Sequence, residues 1–379
     1  MTTLKVSDLP VLPIEVKTID RAAESNGSVR PFSALPNSDE LTILSYDQEF
    51  TQILGTNPTQ SLLLSTTAST KNPFFHEACV FLPSQNELYI TSNLLASTSS
   101  SAFPTILISR IKFTRAESSN DIKSLEWAKL RPPPGIDMPN GGVNYKDGIL
   151  FCAQGSPAPG TGGLYYMPLN APPKPIVTNW HARDFNSVND VVVSKKDGGI
   201  WFTDPCYGYQ QGFRRRPELP NQVYRYDIEN GECRVVADGF ERCNGICFAP
   251  GEGKVYISDT GVVWGDGGRD LQRPATIYSF DVSPSNALTN RTLFAYAAQG
   301  IPDGIKCDTH GNVYSGTGAG VEVWNPSGSL IGTIVVPGGL GCANFCFGNE
   351  GEMFICGEQR LWRVQLGEGT SVRGDLLGV

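Results

Sequence analysis

The sequence predicts an all-β protein, a six-bladed β-propeller with a metal site in its central channel. Three observations predict it. Two-strand units recur along the chain, and each opens on Glu, Asp or Asn. The openings Glu77, Asn140, Asn189, Asn244, Asp303 and Asn344 lie 41 to 63 residues apart, the length of one four-stranded blade. The strand segments are apolar and β-branched, with Gly- and Asp-rich turns and no helical periodicity between them.

In chain order, residues 1–45 are rich in Pro, Ser and charge and predict an extended arm over the surface. Residues 46–379 predict a single propeller domain. FTQIL (50–54) and SLLLST (61–66) read as strands, one of which would pair with the C-terminal blade and remove its open edge. The first unit is HEACVFLPSQNELYITSN (76–93), a hairpin followed by the strand TILISRIKF (105–113). The second is PNGGVNYKDGILFCAQG (139–155) and the third NSVNDVVVSKKDGGIWFTDPCY (186–207). In the third, Asp204 ends the second strand and reads as pointing away from the metal end. The fourth unit spans 244–261, the fifth 302–318 and the sixth 343–366. Two insertions, 205–220 and 261–273, have the length of functional loops.

Composition excludes several function classes. The net charge is −8 and the pI about 5.1, which argues against nucleic acid and anionic membranes as partners. The basic run Arg214-Arg215-Arg216 reads as a solvated loop. No stretch reaches the length of a membrane span. The N-terminus lacks the apolar segment of a signal peptide, so the sequence predicts a cytoplasmic protein, or a secreted one if a signal has been removed. Ten cysteines sit in a chain too large to need a disulfide framework. Cys79, Cys152, Cys247, Cys307 and Cys346 fall in apolar strands and read as small buried hydrophobes.

The six openings carry the chemistry. In a propeller the residue before each innermost strand points into the channel mouth, so equivalent positions of successive blades meet near the axis. Any one Asn-Gly or Asp-Gly pair could be an ordinary turn dipeptide; six at matched positions point to a ligand set. All six offer oxygen, which suits Ca²⁺, whereas zinc would call for His or Cys. Two carboxylates, Glu77 and Asp303, would leave bound Ca²⁺ near neutral, favouring a neutral, oxygen-rich substrate with a carbonyl to polarise. His76 adjoins Glu77 within reach of the site, His181 precedes the third blade, and His310 sits in a solvent turn. No Gly-x-Ser-x-Gly elbow occurs.

The stretches HEACVFLP, MPNGG, NSVNDVVVSKKDGGIWFTDPCYGYQQGFRRRPELPNQVYRYD, NGICFAPGEGKVYISDTG and PDGIKCDTHGNVYSG resemble the gluconolactonase/regucalcin-like propellers, most nearly their fungal lactonohydrolase branch. The likeness spans about residues 74–366. It implies a Ca²⁺-dependent hydrolase of small-molecule lactones, other divalent cations being alternatives. Matched by motif, Glu77, Asn189, Asn244 and Asp303 would hold the metal, with Asp303 or Glu77 as the catalytic base. Asn140 and Asn344 match further channel positions and are expected at the substrate. His76, Tyr207 and Trp264 are expected there too, with Tyr207, Tyr209 and Phe213 on a loop capping the mouth. Some relatives carry an arginine two residues before the asparagine equivalent to Asn189; here that residue is Ser187, which weakens any expectation of an acidic sugar. A phosphotriesterase-type hydrolase, a strictosidine-synthase-like propeller and a non-enzymatic binding propeller are the alternatives.

Overall fold

The computed structural model describes residues 3–28, 39–96, 103–117 and 119–368. The predicted arm's stretch 29–38 and the last residues, 369–379, lie outside them. The described chain forms six main sheets, the blades of the predicted propeller, and a separate two-stranded pair, Asn179–Trp180 with Arg183–Asp184. Blade 1 is built on Glu77–Leu82, Glu87–Thr91, Ile108–Arg115 and Ile122–Leu130. Blade 2 opens on Pro139–Tyr145, blade 3 on Val191–Val193, blade 4 on Cys243–Phe248 and blade 5 on Ile305–Cys307. Each of these continues outward through three further strands of its own segment.

Blade 6 closes the ring. Phe345–Phe347, Glu352–Gly357 and Arg360–Gln365 supply three strands, and Thr59–Ser65 from the other end of the chain supplies the fourth. The expected strand at 61–66 thus pairs with the C-terminal blade. The other expected strand is instead a helix, Gln48–Leu54. Asp47 caps it by accepting from Glu49 N, and Phe50, Ile53 and Leu54, at helical spacing, bury one face.

The described residues before 46 include a short helix, Arg21–Ser25, capped by Asp20, and their strands are woven into the blades. Thr3–Ser7 adds a fifth strand to blade 1 and Leu12–Pro13 adds one to blade 6. Thr42–Ser45 pairs with Leu330–Val335 of blade 5, and Glu15–Thr18 runs parallel to it outside. Outer blade edges carry unpaired N–H and C=O groups, and these short strands satisfy them.

The core lies in the six seams where neighbouring sheets pack face to face. At the closing seam Phe113 of blade 1 stacks on Phe354 of blade 6, with centroids 5.1 Å apart and planes 4° from parallel. All ten cysteines are free thiols, and the five predicted as buried are buried. Cys79 and Cys346 approach to 3.4 Å across the closing seam. Among the described residues no helix is long and apolar enough to cross a membrane.

Candidate functional site

The innermost strands do not begin cleanly. Their pairing breaks register between Glu77 and Val80, Pro139 and Gly142, and Cys243 and Ile246. These bulges turn the ring residues off the sheet and toward the channel. The glycine that follows is there for lack of room. A Cβ on Gly245 would lie 2.3 Å from the main-chain oxygen of Asp303, and one on Gly141 2.4 Å from that of Asn189. The Asn-Gly pairs are therefore not turns; each lets one blade's opening press against that of another.

Hydroxyls fix the same openings. Thr91 donates to the main-chain oxygen of Asn140 at 2.8 Å, Thr203 to that of Asn244 at 2.6 Å, and Ser258 to that of Asp303 at 3.0 Å. Each donor lies at the end of the second strand of one blade or one residue before it, and reaches the ring residue of the next. The acid beside two of these hydroxyls ties down its own blade. Asp204 accepts from Asn186 N and Ser187 N, both at 2.8 Å, and Asp259 accepts from Glu241 N and Arg242 N. Glu322 does the same in blade 5 with Ala298 N and Gln299 N. The expectation that Asp204 points away from the metal end is corrected: an antiparallel hairpin returns its second strand to the level where the first began, and Asn189 N bonds Thr203 O. Burial raises Asp204 to about 7, against its two N–H donors.

One cavity of about 560 Å³ lies at the axis, and it collects most of the predicted set. Glu77, Asn140, Asn189, Asn244 and Asp303 line it together with His76, Tyr207 and Trp264. The side-chain oxygens Asn140 Oδ1, Asn189 Oδ1 and Asp303 Oδ1 are buried there without a hydrogen-bond partner. Three orphaned oxygens from three blades, beside Glu77, are of the chemical type that suits a hard cation. Burial, then Glu77, holds the Asp303 carboxyl well above the usual carboxylate range, the two acids standing within hydrogen-bonding reach. Among the described residues no group of three His, Cys, Asp or Glu side chains is placed to hold a metal, so any centre here depends on the amides.

Asn344 differs from its expected place at the substrate. It is fully buried and spends its side chain on neighbours, Nδ2 donating to Glu77 Oε2 at 2.8 Å and Oδ1 accepting from Lys306 Nζ at 3.3 Å. It braces Glu77 from behind. Asp190, beside Asn189, faces inward and accepts from Val191 N and from Ile246 N of the next blade.

His76 Nδ1 lies 2.6 Å from Glu358 Oε1. Burial disfavours the imidazolium, but Glu358, with Glu77 and Asp303, outweighs it and raises His76 to about 9. Glu358 comes from the loop between two strands of blade 6 and carries no motif that marks it in the sequence. His181 stands exposed against Trp180, apart from the cavity.

The 205–220 insertion is a fixed wall and does not cap the mouth as expected. Tyr207 is buried in the cavity wall, its hydroxyl on Thr260, but Phe213 lies in a separate apolar hollow and Tyr209 is exposed. Arg214 is buried and not solvated, bonding the main-chain oxygens of Asn186, Phe185 and Ser156. Gln210 Oε1 accepts from Gly265 N at 2.8 Å and from Arg242 Nε at 3.2 Å, which joins this insertion to 261–273. The Arg242 guanidinium in turn covers the Trp264 ring at 4.8 Å.

Known proteins share this design. The family described as the SMP-30/gluconolactonase/LRE-like region matches residues 161–357. The lactonohydrolase oryL of Aspergillus oryzae is 30% identical over 336 residues, covering 82% of this chain and 71% of that protein. A gluconolactonase of Zymomonas mobilis is 32% identical over 203 residues, about half of each chain. In structure, a gluconolactonase from Xanthomonas campestris superposes with a TM-score of 0.66 over 89% of this chain and 99% of its own, at 24% identity, a likeness of fold. Sequence match and architecture agree: the chain belongs to the SMP-30/gluconolactonase/LRE-like family.

Proposed function

We propose that this protein is a carboxylic ester hydrolase that opens lactone rings, and that it does so with a divalent metal, Ca²⁺, held by Glu77, Asn189, Asn244 and Asp303. The single observation that carries the metal is the buried, unpartnered oxygens of Asn189 and Asp303 in one cavity with Glu77, the third such oxygen, that of Asn140, being left for the substrate. The lactone rests on kinship with proteins named lactonohydrolase and gluconolactonase. Bound Ca²⁺ would supply Lewis acidity toward the ring carbonyl.

The chain's own groups do the rest. Asp303 takes the proton of the attacking water as its oxygen bonds to the carbonyl carbon. The ring C–O bond then breaks, the departing oxygen takes that proton back from Asp303, and a hydroxy acid leaves. Asn140 and His76, the latter held by Glu358, line the same cavity and offer N–H groups to the substrate. Asn344 keeps Glu77 in place and Tyr207 and Trp264 shape the mouth.

Asp303→Asn tests this reading. It should abolish lactone hydrolysis, followed in a pH-stat, while the far-ultraviolet circular dichroism stays that of the parent. A chelator should also stop turnover, and added Ca²⁺ restore it. Full turnover in Asp303→Asn removes Asp303 from the chemistry; full turnover by metal-free protein removes the metal.

A further inference from the structure

The cavity lining combines two unlike sets of side chains, the oxygen set and the apolar Leu94, Val262, Trp264, Leu271, Ile301 and Leu340. Leu271 is 81% exposed and Leu340 53% exposed. A single exposed leucine is ordinary. Here two come from separate loops, the 261–273 insertion and the loop before blade 6, and converge on the mouth of one cavity. Asn93, Gln154, Gln211 and Arg269 line the cavity too, so a polyhydroxylated lactone is the competing substrate class. The cavity volume of about 560 Å³ leaves room well beyond a five- or six-membered ring.

We infer that the preferred substrate is a lactone carrying an apolar alkyl substituent, its ring at the oxygen set and its chain against Leu271 and Leu340. The inference rests on the lactonase reading and narrows its substrate class. An alkyl chain lying on those leucines removes apolar surface from water on both partners, which stabilises the complex in proportion to chain length. Leu271 and Leu340 are then specificity-determining side chains at a distance from the reacting atoms.

The test is a chain-length series, γ-butyrolactone, γ-hexalactone, γ-octalactone and γ-decalactone, run beside glucono-δ-lactone. The specificity constant kcat/KM should climb about threefold per added methylene, mainly through KM, and exceed that for glucono-δ-lactone at the longer members. In Leu271→Ser/Leu340→Ser the deficit relative to the parent should widen with chain length; both positions are exposed, so folding is not at stake. A flat series, a preference for glucono-δ-lactone, or a slope unchanged in the double variant overturns the inference. If no lactone is hydrolysed, the lactonase reading fails instead. Calorimetric binding of 5-alkyl-2-pyrrolidinones, which keep the ring carbonyl but resist hydrolysis, then reads the chain-length slope by itself.

Discussion

His76 of blade 1 and Glu358 of blade 6 meet at 2.6 Å on the cavity wall, across the seam where the two ends of the ring join. The same seam carries a two-way main-chain bridge between Phe75 and Glu358. Ring closure and site assembly are thus one event. Glu358→Ala would leave a part-buried imidazole without its partner, at a cost of about 1–3 kcal/mol. Urea unfolding should show that loss, Glu358→Gln should recover part of it, and kcat should fall more in the alanine variant.

Asn344 is the brace of Glu77, donating to it at 2.8 Å from a fully buried position. Groups that orient a metal ligand typically matter about 10–100-fold for metal affinity. Asn344→Ala should weaken Ca²⁺ binding by that order in isothermal calorimetry while the fold persists. Unchanged affinity would reduce Asn344 to a packing residue.

Gly245 has no space for a side chain, since its Cβ would lie 2.3 Å from Asp303 O. Gly245→Ala must push blades 4 and 5 apart just where Asp303 is held. Overpacking of this kind costs about 1–3 kcal/mol. The expected result is a lowered melting temperature together with a fall in kcat, because the displaced atom belongs to the proposed base.

Glu322 contributes to the pH dependence beside Asp204, which burial also raises to about 7. Burial raises Glu322 to about 7, against the N–H groups of Ala298 and Gln299 and the Thr317 hydroxyl. Its folded pKa lies above its unfolded one, so the folded protein binds the extra proton. The stabilisation is present in full below the unfolded value and is lost as pH rises through about 7. The loss is on the order of 3 kcal/mol. Urea midpoints between pH 5 and pH 8 should fall accordingly, and Glu322→Gln should flatten that slope. A Glu322→Gln slope equal to the parent's would assign the titration elsewhere.

Much of the fold was legible because a blade is local. Hairpins joined by short turns write their period directly into the chain, and the openings from Glu77 to Asp303 could be matched before any contact was known. The 50–54 segment was misread as a strand because Phe50, Ile53 and Leu54 fit a helical face that a short window hides; the Asp47 cap settles it. Asp204 was misread because its distance along the chain from Asn189 says nothing of their shared level in a hairpin. The Thr203-Asp204 and Ser258-Asp259 pairs at the ends of second strands were the available signal for it.

By itself the sequence determined the blade count, the oxygen character of the ring and the family likeness. These depend on residue type and on spacing within single units. Tertiary structure alone decided that Glu358 would hold His76, that Asn344 would stand behind Glu77, that Arg214 would be buried, and that Leu271 and Leu340 would line one cavity. Each of those pairings joins segments tens to hundreds of residues apart, and for His76–Glu358 and Glu77–Asn344 it is the closure of the ring by Thr59–Ser65 against Arg360–Gln365 that brings them within reach.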